Sequence, residues 1–149
     1  MNIATTPSHG AAELDSATYN AFVADFELAG IELVKIHGER TAAGVSTRTR
    51  FDLTASYMQN EAGIRYQYEV AAYFIDDHET VLGNATASIQ VTIRTDVAVT
   101  ETCIEQFGGT SGALIAHPYL REAIASTAQR IGFQGVLLPA IKHQPAEPE

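Results

Sequence analysis

Apolar and polar positions alternate with period two through the middle of the chain. Phe51, Leu53, Ala55 and Tyr57 are separated by Asp52, Thr54 and Ser56. After a turn signal at Asn60–Gly63, Ile64, Tyr66, Tyr68, Val70, Ala72 and Phe74 alternate with Arg65, Gln67 and Glu69. Beyond Asp76-Asp77-His78, a third run sets Ala85, Ala87, Ile89, Val91 and Ile93 against Thr86, Ser88, Gln90, Thr92 and Arg94. Such alternation with short turns predicts an antiparallel meander with one face toward a core. Upstream, Phe26–His37 reads as a further strand. Its apolar residues fall on both faces in places, which predicts burial on both sides. The sum is a four-stranded antiparallel sheet whose strands exceed the usual length of about 5–6 residues.

Helical spacing marks the remaining segments. Ser16 can cap a short N-terminal helix through Phe22 and Val23. Val99, Cys103, Ile104 and Phe107 predict a short helix within Val97–Phe107. Gly108-Gly109-Thr110-Ser111-Gly112 then reads as a flexible crossing. The main helix is expected to start at Pro118, where a missing N–H costs nothing. Leu120, Ile124, Ala128 and Ile131 form its apolar stripe. Gly132 stands where a left-handed stop is wanted. Val136-Leu137-Leu138 before Pro139 belongs to an extended segment, because the residue before proline avoids helical geometry. The fold class is α+β: a short N-terminal helix, a sheet of long strands, and a C-terminal helix packed on it. Residues 1–13 are expected to be disordered, 14–143 to form one domain, and 144–149 to be a polar tail.

Composition narrows the function. A chain of 149 residues with 46% hydrophobic content suits one domain with a real core. No apolar window is long enough to span a bilayer, and the first residues lack the basic and apolar regions of a signal peptide. One cysteine, Cys103, fits a reducing cytoplasm. The formal net charge of −9 argues against a nucleic-acid partner.

Reactive groups do not gather into a motif. His9, His37, His78, His117 and His143 show no metal-ligand spacing. Cys103 lies near Glu101 and Glu105, which disfavour a thiolate, so it reads as core. The Gly108–Gly112 run lacks the Lys-Ser/Thr ending of a phosphate loop. Asp76-Asp77-His78-Glu79 reads as a hairpin turn. No enzyme activity and no cofactor are expected. The aromatic residues are more informative. Tyr73, with Ala71 and Ile75, lies opposite Ala72 and Phe74, which spreads apolar character to both faces of the third strand. An exposed apolar face calls for a partner surface, most simply a second copy.

The element order and a set of residues resemble the SecB export-chaperone family. Carrying the resemblance are Pro118-Tyr119-Leu120-Arg121-Glu122, Arg130, Gly132, Leu137-Leu138-Pro139-Ala140-Ile141 and, at the first strand, Phe26-Glu27-Leu28. It covers about residues 20–141. It implies a cytoplasmic homotetramer, a dimer of dimers, that holds unfolded or pre-secretory polypeptides in apolar grooves without ATP. It also implies a role in export with the SecA motor, or in protecting an antitoxin. By position it assigns Tyr73, Ile75, Phe107, Leu114 and Ile115 to the client groove. Leu120, Ile124, Ala128 and Ile131 fall at the oligomer interface. A departure from the family is the short stretch after Ile141. It is too short for a lid helix and carries no cysteine, so an open groove is expected and SecA contact through a tail is not. The alternative is a small-ligand-binding sheet-and-helix domain with tyrosines lining its pocket.

Overall fold

The computed structural model describes residues 16–140, so the expectations for the two termini lie outside the described residues. Helix α1 (Ser16–Asp25) leads into β1 (Glu27–Arg40), β2 (Arg48–Asn60), β3 (Gly63–Ile75) and β4 (Val81–Arg94). Helices α2 (Glu101–Gly109) and α3 (Ser111–Arg130) follow. The strands form one antiparallel sheet in the order β1-β4-β3-β2. The meander expected from the alternation is present. β1 adds to it beside β4, so residues 41–47 carry the chain across to the opposite edge. Both hairpin turns use local side-chain bonds. Asn60 Oδ1 accepts from Ala62 N–H at 2.8 Å, and Asp76 Oδ1 accepts from the N–H groups of His78 and Thr80 at 2.8 and 2.9 Å. The Thr80 amide, with His78, holds the Asp76 carboxyl below the usual carboxylate range. The acidic stretch at Asp76 is thus a turn, as its sequence suggests.

The core lies between the helices and one face of β3 and β4. Tyr66, Tyr68, Val70, Ala72 and Phe74 of β3 are buried, as are Ala85, Ala87, Ile89, Val91 and Ile93 of β4. Leu120, Ile124 and Ala128 of α3 face them, with Ala113, Ala116 and Ala123 allowing close approach. Two tyrosine hydroxyls reach through this layer. Tyr66 donates to the Ile104 carbonyl and Tyr68 to the Gly108 carbonyl, each at 2.7 Å. Leaving such a buried carbonyl unpaired costs about 1–3 kcal/mol.

Three features differ from the sequence expectations. The main helix begins at Ser111, and Pro118 sits inside it. Proline removes the bond that would reach the Leu114 carbonyl four residues back. Leu114 and Pro118 both lie on the exposed side of α3, where solvent can reach the freed carbonyl. The glycine-rich run is no flexible crossing. Thr110 alone separates α2 from α3; its N–H bonds the Phe107 carbonyl at 3.2 Å, and its hydroxyl bonds the Gln106 carbonyl at 2.7 Å. The glycines are there for clearance: a Cβ on Gly108 would stand 2.7 Å from the Tyr66 ring, and one on Gly112 would strike the Tyr68 hydroxyl. Finally, β1 is not buried on both sides. It is exposed along its length except at the half-buried Ile31: α3 is centred on β4, with β3 and β1 at its two sides, and meets β1 at Gly38 through Thr127 and Ile131.

The end of α3 follows the expected stop. Gly132 has φ +92°, its N–H bonds the Gln129 carbonyl, and Phe133 N–H bonds the Ala128 carbonyl at 2.8 Å. Arg40, at the end of β1, donates to the carbonyls of Ile131 (3.0 Å) and Gly132 (3.3 Å) and lies over the Phe133 ring at 4.2 Å. Phe133 stacks on Phe74 with centroids 4.3 Å apart. At the other end, Phe22 of α1 packs on Phe107, and Asp25 accepts from Thr95 and Asp96 just past β4.

Burial, the largest cause, pushes both the Tyr66 and Tyr68 phenols well above the ordinary tyrosine value of 10.0. The folded chain therefore holds protons that the unfolded chain releases above that pH. Stability from these groups is fully present below pH 10 and falls as pH rises beyond it. Denaturant midpoints measured from neutral to strongly alkaline pH should be flat until about pH 10 and then decline. In Tyr66→Phe with Tyr68→Phe the alkaline decline should be shallower.

Candidate functional site

The sheet is wider than its helical cover, and the outer strands show it. On β2, Thr49, Phe51, Leu53, Ala55 and Tyr57 point to the helix side, yet every one is only half-buried. The equivalent row on β3 is fully buried. Beyond α3 the chain turns back as an extended strap, Phe133–Ala140, that runs along this flank. Between strap, helix and sheet lies an apolar cavity of about 240 Å³. Its floor is Phe51, Leu53, Tyr68 and Val70; α3 supplies Ala113, His117 and Leu120; the strap supplies Leu138, Pro139 and Ala140. A more polar hollow of about 560 Å³ lies between residues 44–49 and 132–137 and shares Phe51 as a wall. Together they make a groove along β2.

The electrostatics of the cavity are plain. Tyr68 turns its hydroxyl away to the Gly108 carbonyl, leaving its ring as wall. His117 Nε2 lies 2.8 Å from the Pro139 carbonyl, which only accepts, so Nε2 carries the proton in that bond. No ionised carboxylate lines the cavity. Such a space suits one or two apolar side chains, and the groove suits an extended segment.

The residues assigned by resemblance do not come together here. Phe107 is fully buried in an aromatic cluster with Phe22, Phe26 and Tyr66. Leu114 is 61% exposed on the outer side of α3, with Ile115 half-buried beside it. Tyr73 lies on the opposite face of the sheet under the Arg50 guanidinium, and Ile75 is buried. On the second face, Ala71 and Tyr73 are half-buried, and the positions before them on β3 form a polar ladder. Gln90 donates to Gln67 at 3.0 Å, Ser88 to Glu69 at 2.7 Å, and Lys35 stands 3.6 Å from Glu69. The stripe assigned to an interface is occupied within the chain: Leu120, Ile124 and Ala128 are buried against the sheet, and Ile131 is half-buried. Leu120 lines the cavity instead. Phe51, Leu53 and Leu138, the main apolar walls, were visible as a period-two row and an extended apolar segment. Only the partial cover of β2 marks them as a site.

A second apolar surface lies on the other flank. Leu28, Leu33 and Ile36 of β1 sit opposite Ile93, Ile89 and Ala87, hence on the helix side of the sheet. They are 43%, 49% and 51% exposed, at a strand whose outer edge no described residue pairs. Register shifts between Leu28 and Gly30 and between Leu33 and Lys35 interrupt that edge. Among the described residues no group of three or more His, Cys, Asp or Glu side chains could hold a metal ion. No helix among them is long and apolar enough to cross a membrane.

No protein-family model and no curated protein matches the sequence. Solved structures do match. One is the Mycobacterium tuberculosis Rv1957 SecB-like chaperone in complex with a ChAD peptide from the Rv1956 HigA1 antitoxin. It aligns with a TM-score of 0.72 over 87% of this chain and 99% of that chain, at 12% identity. A likeness at that identity concerns the fold: this chain has the SecB-like fold, as its element order suggested.

Leu53→Glu should leave the fold intact, since Leu53 is half-exposed, while placing a carboxylate in the cavity wall. Binding of an apolar fluorescent dye should weaken by about 10-fold or more, the scale of placing a charge in an apolar site. Equal dye binding by Leu53→Glu and the unaltered chain would show that the cavity takes no apolar ligand.

Proposed function

We propose that this chain is an ATP-independent chaperone of the holdase type. It binds unfolded or pre-secretory polypeptide segments in the groove along β2 and works as a homotetramer, a dimer of dimers, in the cytoplasm. The carrying observation is the half-covered apolar row of Phe51, Leu53, Ala55 and Tyr57 beside a cavity lined by no carboxylate. A holdase must accept many sequences, and an apolar groove with few directional groups does so. The SecB-like fold supports the reading, because the similar M. tuberculosis protein is described as a chaperone in complex with an antitoxin peptide. We extend peptide binding to this chain on that basis. Its client would be an antitoxin or an exported polypeptide, with SecA as a further partner in the second case. The uncovered row of Leu28, Leu33 and Ile36 favours self-association, which would bury it. The net charge of −9 keeps such a surface soluble.

A second reading keeps the alternative of a small-ligand domain, favoured by the 240 Å³ cavity with Tyr68 in its wall. The two separate in one experiment. Light scattering should give a mass near four times 16.0 kDa. A stoichiometric amount of the protein should suppress aggregation of an unfolded client without nucleotide. A stable monomer that leaves aggregation unchanged and binds one small molecule saturably would favour the ligand-binding domain.

A further inference from the structure

We propose that residues 134–140 are a displaceable strap: in the resting chain Leu138 occupies the place that a client's apolar side chain takes, and the client must lift the strap to bind. This rests on the reading of the groove as a client site. The strap has a firm root and a weak hold. Phe133 is fixed by its bond to the Ala128 carbonyl, its stack on Phe74 and the Arg40 guanidinium above it. Two residues on, Gly135 has φ +70°, and nothing lies within 4 Å of where its Cβ would be, so the chain pivots there without packing.

Beyond Gly135 no backbone–backbone hydrogen bond joins the strap to another described residue. Among the described residues, two side chains and one bond hold it. Val136 is half-buried, Leu138 is 8% exposed, and His117 Nε2 meets the Pro139 carbonyl at 2.8 Å. Leu137 points outward, 58% exposed. Inward, outward, inward is the side-chain pattern of an extended polypeptide on an apolar surface. The strap therefore presents to the groove what a client would present. Leu137 and Leu138 also stand at the boundary between the two hollows, so lifting them joins the spaces of about 240 and 560 Å³ into one channel. A client segment gains a longer contact than the strap loses. A ligand that needs a minor open form binds more weakly by the fraction open. Loosening the strap must then strengthen client binding.

The test uses the full chain and a labelled, unstructured peptide with alternating apolar and polar residues, read by fluorescence anisotropy. Leu138→Ser should bind the peptide about 3- to 10-fold more tightly, mainly through faster association. His117→Ala, which removes the bond to Pro139 together with one side chain of the cavity wall, should shift affinity the same way by less. In the unaltered chain, amide hydrogen exchange of residues 134–140 should speed up when peptide is added. Equal or weaker peptide binding in both variants, or slower exchange of the strap with peptide bound, would overturn the proposal and make the strap a wall of the site. If neither the unaltered chain nor a variant binds peptide, the holdase reading itself fails. Binding by the unaltered chain without gain in the variants sinks the strap alone.

Discussion

One helix cannot cover four strands, and the rest of this structure follows from that mismatch. Strands stand about 4.8 Å apart, and a helix with its side chains is about 10 Å wide. α3 is centred on β4, with β3 and β1 at its sides, and the outer flanks of the sheet remain only partly covered. Its position is fixed from three sides. The Tyr66 and Tyr68 hydroxyls hold the Ile104 and Gly108 carbonyls of α2, which Thr110 joins to α3; the clearance at Gly108 and Gly112 lets both helices settle on those rings, and Arg40 ties down the far end of α3. With the helix held centrally, β1 keeps an apolar row open on one side. On the other side β2 keeps one that only a strap partly covers.

The two flanks have different chemistry, and that difference supports different uses. The β1 flank is an exposed strand row with an interrupted edge, suited to broad burial against a second folded surface. The β2 flank is concave, enclosed by helix and strap, and suited to narrow extended segments. Covering the β1 flank would leave the β2 flank accessible. The polar ladder of Gln67, Gln90, Ser88 and Glu69 on the opposite face of the sheet satisfies its own hydrogen bonds, so that face adds no apolar demand.

Much of the fold was legible in the chain. Period-two alternation gave β2, β3 and β4 their extent, and the stripe of Leu120, Ile124 and Ala128 found its sheet. The start of α3 was misread because Pro118 looks like a first-turn residue; that it is tolerated mid-helix depends on the exposure of Leu114, which spacing does not reveal. Gly108 and Gly112 read as slack, since their partners Tyr66 and Tyr68 lie some forty residues upstream. The site was less legible for a similar reason. The Phe51 row and the Tyr66 row have the same alternation. Only strand order and the width of the helical layer decide that one is core and the other a groove. The same geometry turned an expected interface stripe into core and moved the apolar surface to Leu28, Leu33 and Ile36.

The most direct test of this account measures the solution mass of Leu33→Glu with Ile36→Glu beside the unaltered chain, by light scattering at equal concentration. Both residues are about half exposed in the single chain, so the substitutions should leave its fold and circular dichroism unchanged. The account predicts an assembly of several chains for the unaltered protein and a clear drop in mass for the double variant. The same mass for both proteins would contradict the claim that the uncovered β1 flank is where copies of this chain meet.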